Sequence, residues 1–273
     1  MLNNRVVLIT GAARGIGKAA ATLFAEQQAT LAMNDCDEQE LVKTVKQIKK
    51  YGVNCVGFAC DLLKPEAPKQ LISDVIATFG KVDVLVNNAG FTWDKMAHKM
   101  TDQQFQTILD IHTLVPFRLI RELSPYMREK GKQEKAEGKQ PQDRCIINIS
   151  STSGLHGNIG QVNYATAKMG IVGLTKTIAR EWGPFGVRCN AVAFGLIDTR
   201  LTQHKNKGEK IEINGEHVDL GIPNNIEDTI SMINCLHTVG TPEQAAGGIL
   251  MMALPYASFI TGHTLEVTGG QGI

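Results

Sequence analysis

Short apolar, β-branched runs alternate along the chain with longer stretches in which apolar residues recur every three or four positions. "RVVLIT", "TLAMND", "NCVGFACD", "VDVLVNNAG", "CIINISS", "VRCNAVA" and "TLEVTGG" have the character of strands. "GKAAATLFAEQQ", "EQELVKTVKQIKKYG", "PKQLISDVIATFG" and "FQTILDIHTLVPFRLIRELSPYM" have helical spacing. Strands separated by helices imply parallel pairing with right-handed crossovers. "VDVLV" and "CIINI" are apolar almost throughout, as strands covered on both faces must be. The expected architecture is therefore α/β, a doubly wound parallel sheet of about seven strands with helices on both faces, and residues 1–273 are expected to form one domain.

Two stretches interrupt this rhythm. Residues 128–144, "REKGKQEKAEGKQPQDR", are polar and mixed in charge, and read as a solvated helix extension followed by a surface loop, an insertion in the pattern. In "EKIEINGEHVDL" the pair Asn214-Gly215 lies between alternating apolar residues, the strongest short hairpin signal. A two-residue turn there pairs Ile213 with Glu216, Glu212 with His217, Ile211 with Val218 and Lys210 with Asp219. The hairpin follows the sixth strand, at the sheet end where open α/β sheets bind ligands. Residues 202–230 are read as a lid or pocket wall, with a plain surface hairpin as the alternative.

Composition narrows the possibilities. With 28 Lys and Arg against 27 Asp and Glu, the chain has no basic block to neutralise a phosphate backbone, so nucleic acid is not an expected partner. The six Cys have no C-x-x-C spacing and read as buried thiols of a reducing compartment; the seven His form no metal-binding pattern, so no metal is expected. No signal peptide and no membrane-spanning run is apparent, which makes a cytoplasmic protein the expectation and a membrane partner unexpected.

The first strand runs into "TGAARGIG". Gly11, Gly15 and Gly17 permit a tight turn, a close backbone approach and a helix N-terminus whose N–H groups face a pyrophosphate. Asp35 ends the second strand, where a carboxylate accepts hydrogen bonds from ribose hydroxyls and repels a 2′-phosphate. Arg14 argues the other way, since a guanidinium clamps phosphate. NAD is the preferred dinucleotide on this reading, and NADP the alternative. Asp37, three residues before Glu40, fits a helix cap and leaves Asp35 free.

The T-G-x-x-x-G-I-G spacing, the "NNAG" after the fourth strand, "INISS" followed by Tyr164-x-x-x-Lys168, and the closing "TGHTLEVTGG" together resemble the short-chain dehydrogenases/reductases over nearly the whole chain. "GNIGQVNYATAKMGIVGLTKTIAREWG" is most similar to the family's 3-oxoacyl-thioester reductases. The resemblance implies a Rossmann-type fold. It implies a dinucleotide held by Gly11, Arg14, Gly15, Ile16, Gly17, Asp35, Asp61, Leu62, Asn88, Ala89, Gly90, Tyr164, Lys168, Ile197 and Thr199. Asp61 is read equally as an adenine contact, by resemblance, or as a turn residue before Pro65. The resemblance also implies a homotetramer packed through the helices of "FQTILDIHTLVPFRLI" and "YATAKMGIVGLTKTIAREW".

Tyr164 and Lys168 are four residues apart and share a helix face. A phenol of pKa ~10 needs roughly 4 kcal/mol of phenolate stabilisation to exchange protons near pH 7, and a neighbouring ammonium is expected to supply much of it. The pair is thus a candidate general acid/base. By resemblance Ser151 hydrogen-bonds the substrate oxygen, and Lys168 also holds the nicotinamide ribose. A serine-hydrolase reading fails for want of a G-x-S-x-G elbow.

Three positions depart from the family pattern. His112 stands where the family has an Asn that orders a water beside the Lys. A neutral imidazole can serve there but titrates near pKa ~6.5, so that relay is expected to weaken in acid; a ring turned toward a subunit interface is the alternative. Phe194-Gly195 replaces Pro-Gly after the sixth strand, expected to loosen the turn and wall the pocket. Phe185 replaces a basic residue common in reductases that act on carrier-bound thioesters, which argues against carrier-protein docking. The expected function is carbonyl reduction or secondary-alcohol oxidation with NAD(P), on 3-oxoacyl or 3-hydroxyacyl compounds with an apolar portion. Steroid, polyol or other secondary-alcohol dehydrogenation, or nucleotide sensing without turnover, are the alternatives.

Overall fold

The computed structural model describes residues 1–200, 202, 210–213, 216–219, 221 and 234–272, with the backbone alone for 210–213 and 216–219. Strands β1 (Val6–Thr10), β2 (Thr30–Asp35), β3 (Cys55–Ala59), β4 (Val84–Asn87), β5 (Arg144–Ser151), β6 (Val187–Phe194) and a last strand, Thr264–Val267, form one sheet. All neighbours in it are parallel. The expected seven strands are all present. The order is β3-β2-β1-β4-β5-β6 and then the last strand, so the winding reverses between β1 and β4. At such a reversal the loops leaving the two strands diverge and open a crevice.

The apolar runs are continuous because each strand supplies both faces. Val7 and Ile9 of β1 enter a core with Phe24 and Ala20 of α1 (Gly15–Glu26), whereas Leu8 enters the opposite core with Leu71 and Val75 of α3 (Ala67–Phe79). Between them in sequence, α2 (Glu38–Ile48) is capped by Asp37, whose carboxylate accepts from the Glu40 amide at 3.0 Å. The second core continues through α5 (Val115–Leu123), which follows α4 (Asp102–Leu109) after a π-turn at Asp110–Leu114.

The polar stretch 128–144 is a helix followed by a mostly exposed segment, as its composition suggests, and is tied down at its end. Helix α6 (Lys130–Ala136) continues from the preceding turn, and Arg144 is buried at the start of β5. Its guanidinium donates to both oxygens of Glu134, at 2.6 and 3.1 Å. Asp143 accepts from Arg188 at 2.8 Å, and Gln142 donates to Asp83 at 2.9 Å. These bonds anchor the stretch to the amino ends of the strands, away from the crevice.

Strands β7 (Lys210–Ile213) and β8 (Glu216–Asp219) pair antiparallel with Lys210 opposite Asp219 and Ile213 opposite Glu216, the register that the Asn-Gly turn predicts. Asn214, Gly215 and most of the lid expected at 202–230 lie outside the described residues. With β7 and β8 numbered, the closing strand Thr264–Val267 is β9. The expectation of six buried thiols is corrected: only Cys55, Cys145 and Cys189 are buried, Cys60 is half-buried, and Cys36 and Cys235 are exposed, because Cys36 follows the end of β2 at the crevice and Cys235 lies in a loop.

Candidate active site

The crevice is a cleft of about 890 Å³ that brings together Gly11, Arg14, Gly15, Ile16, Gly17, Asp35, Asp61, Leu62, Asn88, Ala89, Gly90, His112, Ser151, Tyr164, Lys168, Ile197 and Thr199. Every candidate from the sequence lines this one cavity. Three loops at the carboxyl ends of β1, β4 and β5 supply most of it.

At one end, Gly11 and Gly15 hold φ of +63° and +49°, where a side chain is strained. A Cβ on Gly17 would lie 2.1 Å from the Gly11 carbonyl oxygen, so the first turn of α1 lies directly against the loop. Asn88 staples this arrangement by donating to the carbonyls of Thr10 at 2.9 Å and Gly11 at 3.0 Å. No side chain caps α1 and no acidic residue occupies its first turn, which leaves its N–H groups directed at the cleft. This cradle has the shape and polarity that a pyrophosphate requires. Across it, the Thr199 methyl sits 3.7 Å from where a Gly15 Cβ would be.

Asp35 accepts from the Ala13 amide at 2.9 Å and from the Asp37 amide at 3.1 Å, and so ties β2 to the glycine loop. Asp61 accepts from the Leu63 amide at 3.0 Å; it is a turn residue that also borders the cleft. Leu62 is buried in the second core.

At the other end, α8 (Val162–Trp182) carries Tyr164 and Lys168, with a short α7 (Thr152–His156) before it. The start of α8 is fixed by Asn163, which donates to the Trp93 carbonyl at 3.0 Å and accepts from the Tyr164 amide at 2.8 Å. Ser151 caps α7 by accepting from the Ser153 amide at 3.2 Å, and its side chain is near enough to the Tyr164 phenol to hold that group's pKa down. The Lys168 amine is buried, donates to the Ile149 carbonyl at 2.8 Å, and lies 5.4 Å from the centre of the Tyr164 ring.

The expected lowering of the phenol by its lysine is not what these groups produce. Burial pushes the Tyr164 phenol up to about 12; the Ser151 hydrogen bond opposes this and the charge of Asp94 adds to it. Burial also pulls the Lys168 amine down to about 7. Both groups leave water together, and the amine is turned onto a carbonyl of β5, so each loses more hydration than the other returns.

His112 occupies the π-turn at Asp110–Leu114, and its ring meets the Tyr164 ring edge-on at 5.0 Å. It faces inward, against the interface alternative. Nε2 is 2.8 Å from the Phe91 carbonyl, which fixes the proton on Nε2 and leaves Nδ1 a bare acceptor with no partner among the described residues. A Cβ on Gly90 would be 2.0 Å from the ring, so glycine there makes room for histidine. Burial first, then the Lys168 charge, holds the imidazole well below 6.5, while the Phe91 hydrogen bond acts the other way. The expected weakening of the relay near pH ~6.5 is therefore corrected: the folded imidazole stays neutral there.

A stability consequence follows. The unfolded chain binds a proton at His112 as pH falls below 6.5, and the folded chain does not until its lower value is reached. In that interval wild-type stability should fall by about 1.4 kcal/mol per pH unit from this group. Lys168, at about 7, becomes almost fully protonated in both states below pH ~6, and the carboxyls with shifted values titrate below 4.5. Denaturant melts from pH ~6 to ~5, below the Lys168 titration, should show this slope in the wild type and its loss in His112→Asn.

Phe194 is buried and stays within the β6 ladder, opposite Ser151 and Val267, so the turn is not loosened. A residue with an N–H lets the strand run one position further than proline allows. Sequence reasoning missed Asp94 and Gln161. Gln161 donates to Asp94 at 2.9 Å and accepts from Ser153 at 3.0 Å, forming a polar wall beside Tyr164. Their signal was position alone: Asp94 lies just beyond "NNAG", and Gln161 just before α8.

The short chain dehydrogenase family model matches residues 5–210. Among curated relatives, 3-oxoacyl-(acyl-carrier-protein) reductase FabG of Thermotoga maritima is 31% identical over 98% of this chain and 98% of its own. The FabG of Vibrio cholerae is 34% identical over 99% and 98%. The short-chain reductase protein NovJ of Streptomyces niveus is 34% identical over 97% and 93%.

Proposed function

The chain belongs to the short-chain dehydrogenase family of NAD(P)-dependent oxidoreductases, and from that premise we propose that it reduces the ketone of 3-oxoacyl compounds, with Tyr164 as the proton donor. The observation that carries this is a buried phenol, a serine side chain and a buried amine lining one cleft whose far end is a glycine cradle. A nicotinamide dinucleotide supplies the hydride. Gly11, Ile16 and Gly17 would hold its pyrophosphate, Asp35 its adenosine ribose, Lys168 its nicotinamide ribose, and Ile197 and Thr199 its carboxamide side.

The residues then divide the work. Ser151 and Tyr164 donate hydrogen bonds to the carbonyl oxygen and polarise it. As that oxygen gains charge, Tyr164 gives up its proton and the product hydroxyl forms. Ser151 stabilises the phenolate left behind, and Lys168 stands one turn away to stabilise it further. His112, neutral with a free Nδ1, offers an acceptor for a water beside the amine. With the phenol at about 12, removing its proton at pH 7 costs about 7 kcal/mol. A nascent alkoxide is a stronger base than a phenolate, so the proton moves from Tyr164 to it downhill.

Two relatives are named as 3-oxoacyl reductases of a carrier protein. In this chain Phe185 stands where a basic residue is common in carrier-dependent reductases, which supports a free ester or thioester as substrate. Residues 202–230 would act as a lid over the acyl portion. Phe117, Tyr126, Val162 and Met169 are exposed apolar side chains on or beside α5 and α8, as a homotetramer through those helices requires. Asp35 supports NAD as the preferred dinucleotide. No described helix is long and apolar enough to cross a membrane.

The test is dinucleotide oxidation by the purified protein with a β-ketoester. Turnover that depends on the ketoester is expected. Dinucleotide binding without turnover on β-ketoesters, steroids or polyols would reduce the protein to a nucleotide sensor.

A further inference from the structure

Arg14 and Asp35 both line the adenosine end of the cleft, and they make opposite demands on a dinucleotide. What the structure adds is where Arg14 is held. Its guanidinium donates to Oδ2 of Asp37 and lies 3.9 Å from Oε2 of Glu40. Asp37 is itself fixed, because Oδ1 accepts from the Glu40 amide at 3.0 Å as the cap of α2. One carboxylate oxygen therefore holds the helix and the other holds the arginine. That amide, with Arg14 adding to it, keeps the Asp37 carboxyl below its usual 3.8, so it is ionised at every pH of interest. Both oxygens of Asp35 are engaged by the amides of Ala13 and Asp37. Among the described residues, Lys18 and Lys43 act on Glu40, Arg200 acts on Asp37, and Asp61 and Arg200 line the same end of the cleft.

We infer that Asp37 is a selectivity residue for the dinucleotide: it holds Arg14 away from a 2′-phosphate and so favours NAD(H) over NADP(H). The inference rests on the dinucleotide reading above and assigns within it a residue that touches no nucleotide in that reading. A 2′-phosphate and Asp37 compete for one guanidinium. Asp37 also places its own negative charge where the phosphate's charge would gather. The ion pair is well over a third exposed on both sides, so it biases the choice rather than forbidding NADP(H).

The test is equilibrium titration of NADH and NADPH by nucleotide fluorescence, with no substrate present. Asp37→Ser keeps a good helix cap while removing the charge and the reach to Arg14, so its melting temperature should stay close to wild type. NADPH affinity should rise about tenfold with NADH affinity little changed. Adding Arg14→Gln to Asp37→Ser should remove most of the gain in NADPH affinity, leaving only the part due to the lost Asp37 charge, which a merely structural role of Asp37 would not do. If both dinucleotides bind the wild type and Asp37→Ser leaves their ratio unchanged, the selectivity role is overturned alone. If neither binds the wild type, the dinucleotide reading falls and the inference with it.

Discussion

Tyr164→Phe is expected to lower kcat for ketone reduction by about 10²–10⁴-fold, the usual contribution of a positioned acid. Dinucleotide affinity should stay near wild type. The substitution removes one oxygen and keeps the ring, which packs with Trp93, Ile108 and Ala167 and meets His112 edge-on at 5.0 Å. What disappears is the proton that the phenol would donate. Single-turnover reduction measured beside nucleotide titration separates the two effects. A loss below tenfold would mean that another group or water donates the proton.

Gly17→Ala should remove the cradle. The new methyl would fall 2.1 Å from the Gly11 carbonyl oxygen, 2.9 Å from its carbon and 2.7 Å from the Asn88 amide nitrogen. The loop cannot retreat easily, because a Cβ at Gly11 would itself lie 2.8 Å from the Ala89 Cα, and Asn88 is bound to two loop carbonyls. The start of α1 must therefore shift. Overpacking of this kind costs about 1–3 kcal/mol of stability, and misplacement of the amides by about 1 Å should cost on the order of 10² in dinucleotide affinity. Denaturant melts and titration of the refolded variant read both. Unchanged affinity would show that the glycine loop does not hold the pyrophosphate.

The sheet was legible because its strands are buried on both faces, so burial is written as unbroken apolar runs such as "VLV" and "CIINIS". The hairpin register was legible from one Asn-Gly pair, since a two-residue turn fixes every partner. The cleft residues were legible because their motifs end strands or begin helices, which places them at one end of the sheet. Three features were not legible. The π-turn that aims His112 at Tyr164 has no periodic signature. The Arg14 and Arg144 pairs join residues that only the folded chain brings together. The direction of the Tyr164 shift depends on burial and on where the Lys168 amine points, and helical spacing determines neither.

The central claim is that a phenol raised by burial in this cleft is made fit for proton transfer when the dinucleotide joins it. The direct measurement is the phenolate absorbance difference between wild type and Tyr164→Phe, titrated to pH ~10 with and without the oxidised dinucleotide. No Tyr164 phenolate should appear in the protein alone, whose phenol stands near 12, and a phenolate signal should emerge at lower pH once the dinucleotide is bound, through its positive ring charge. The same titration with and without dinucleotide would contradict the account.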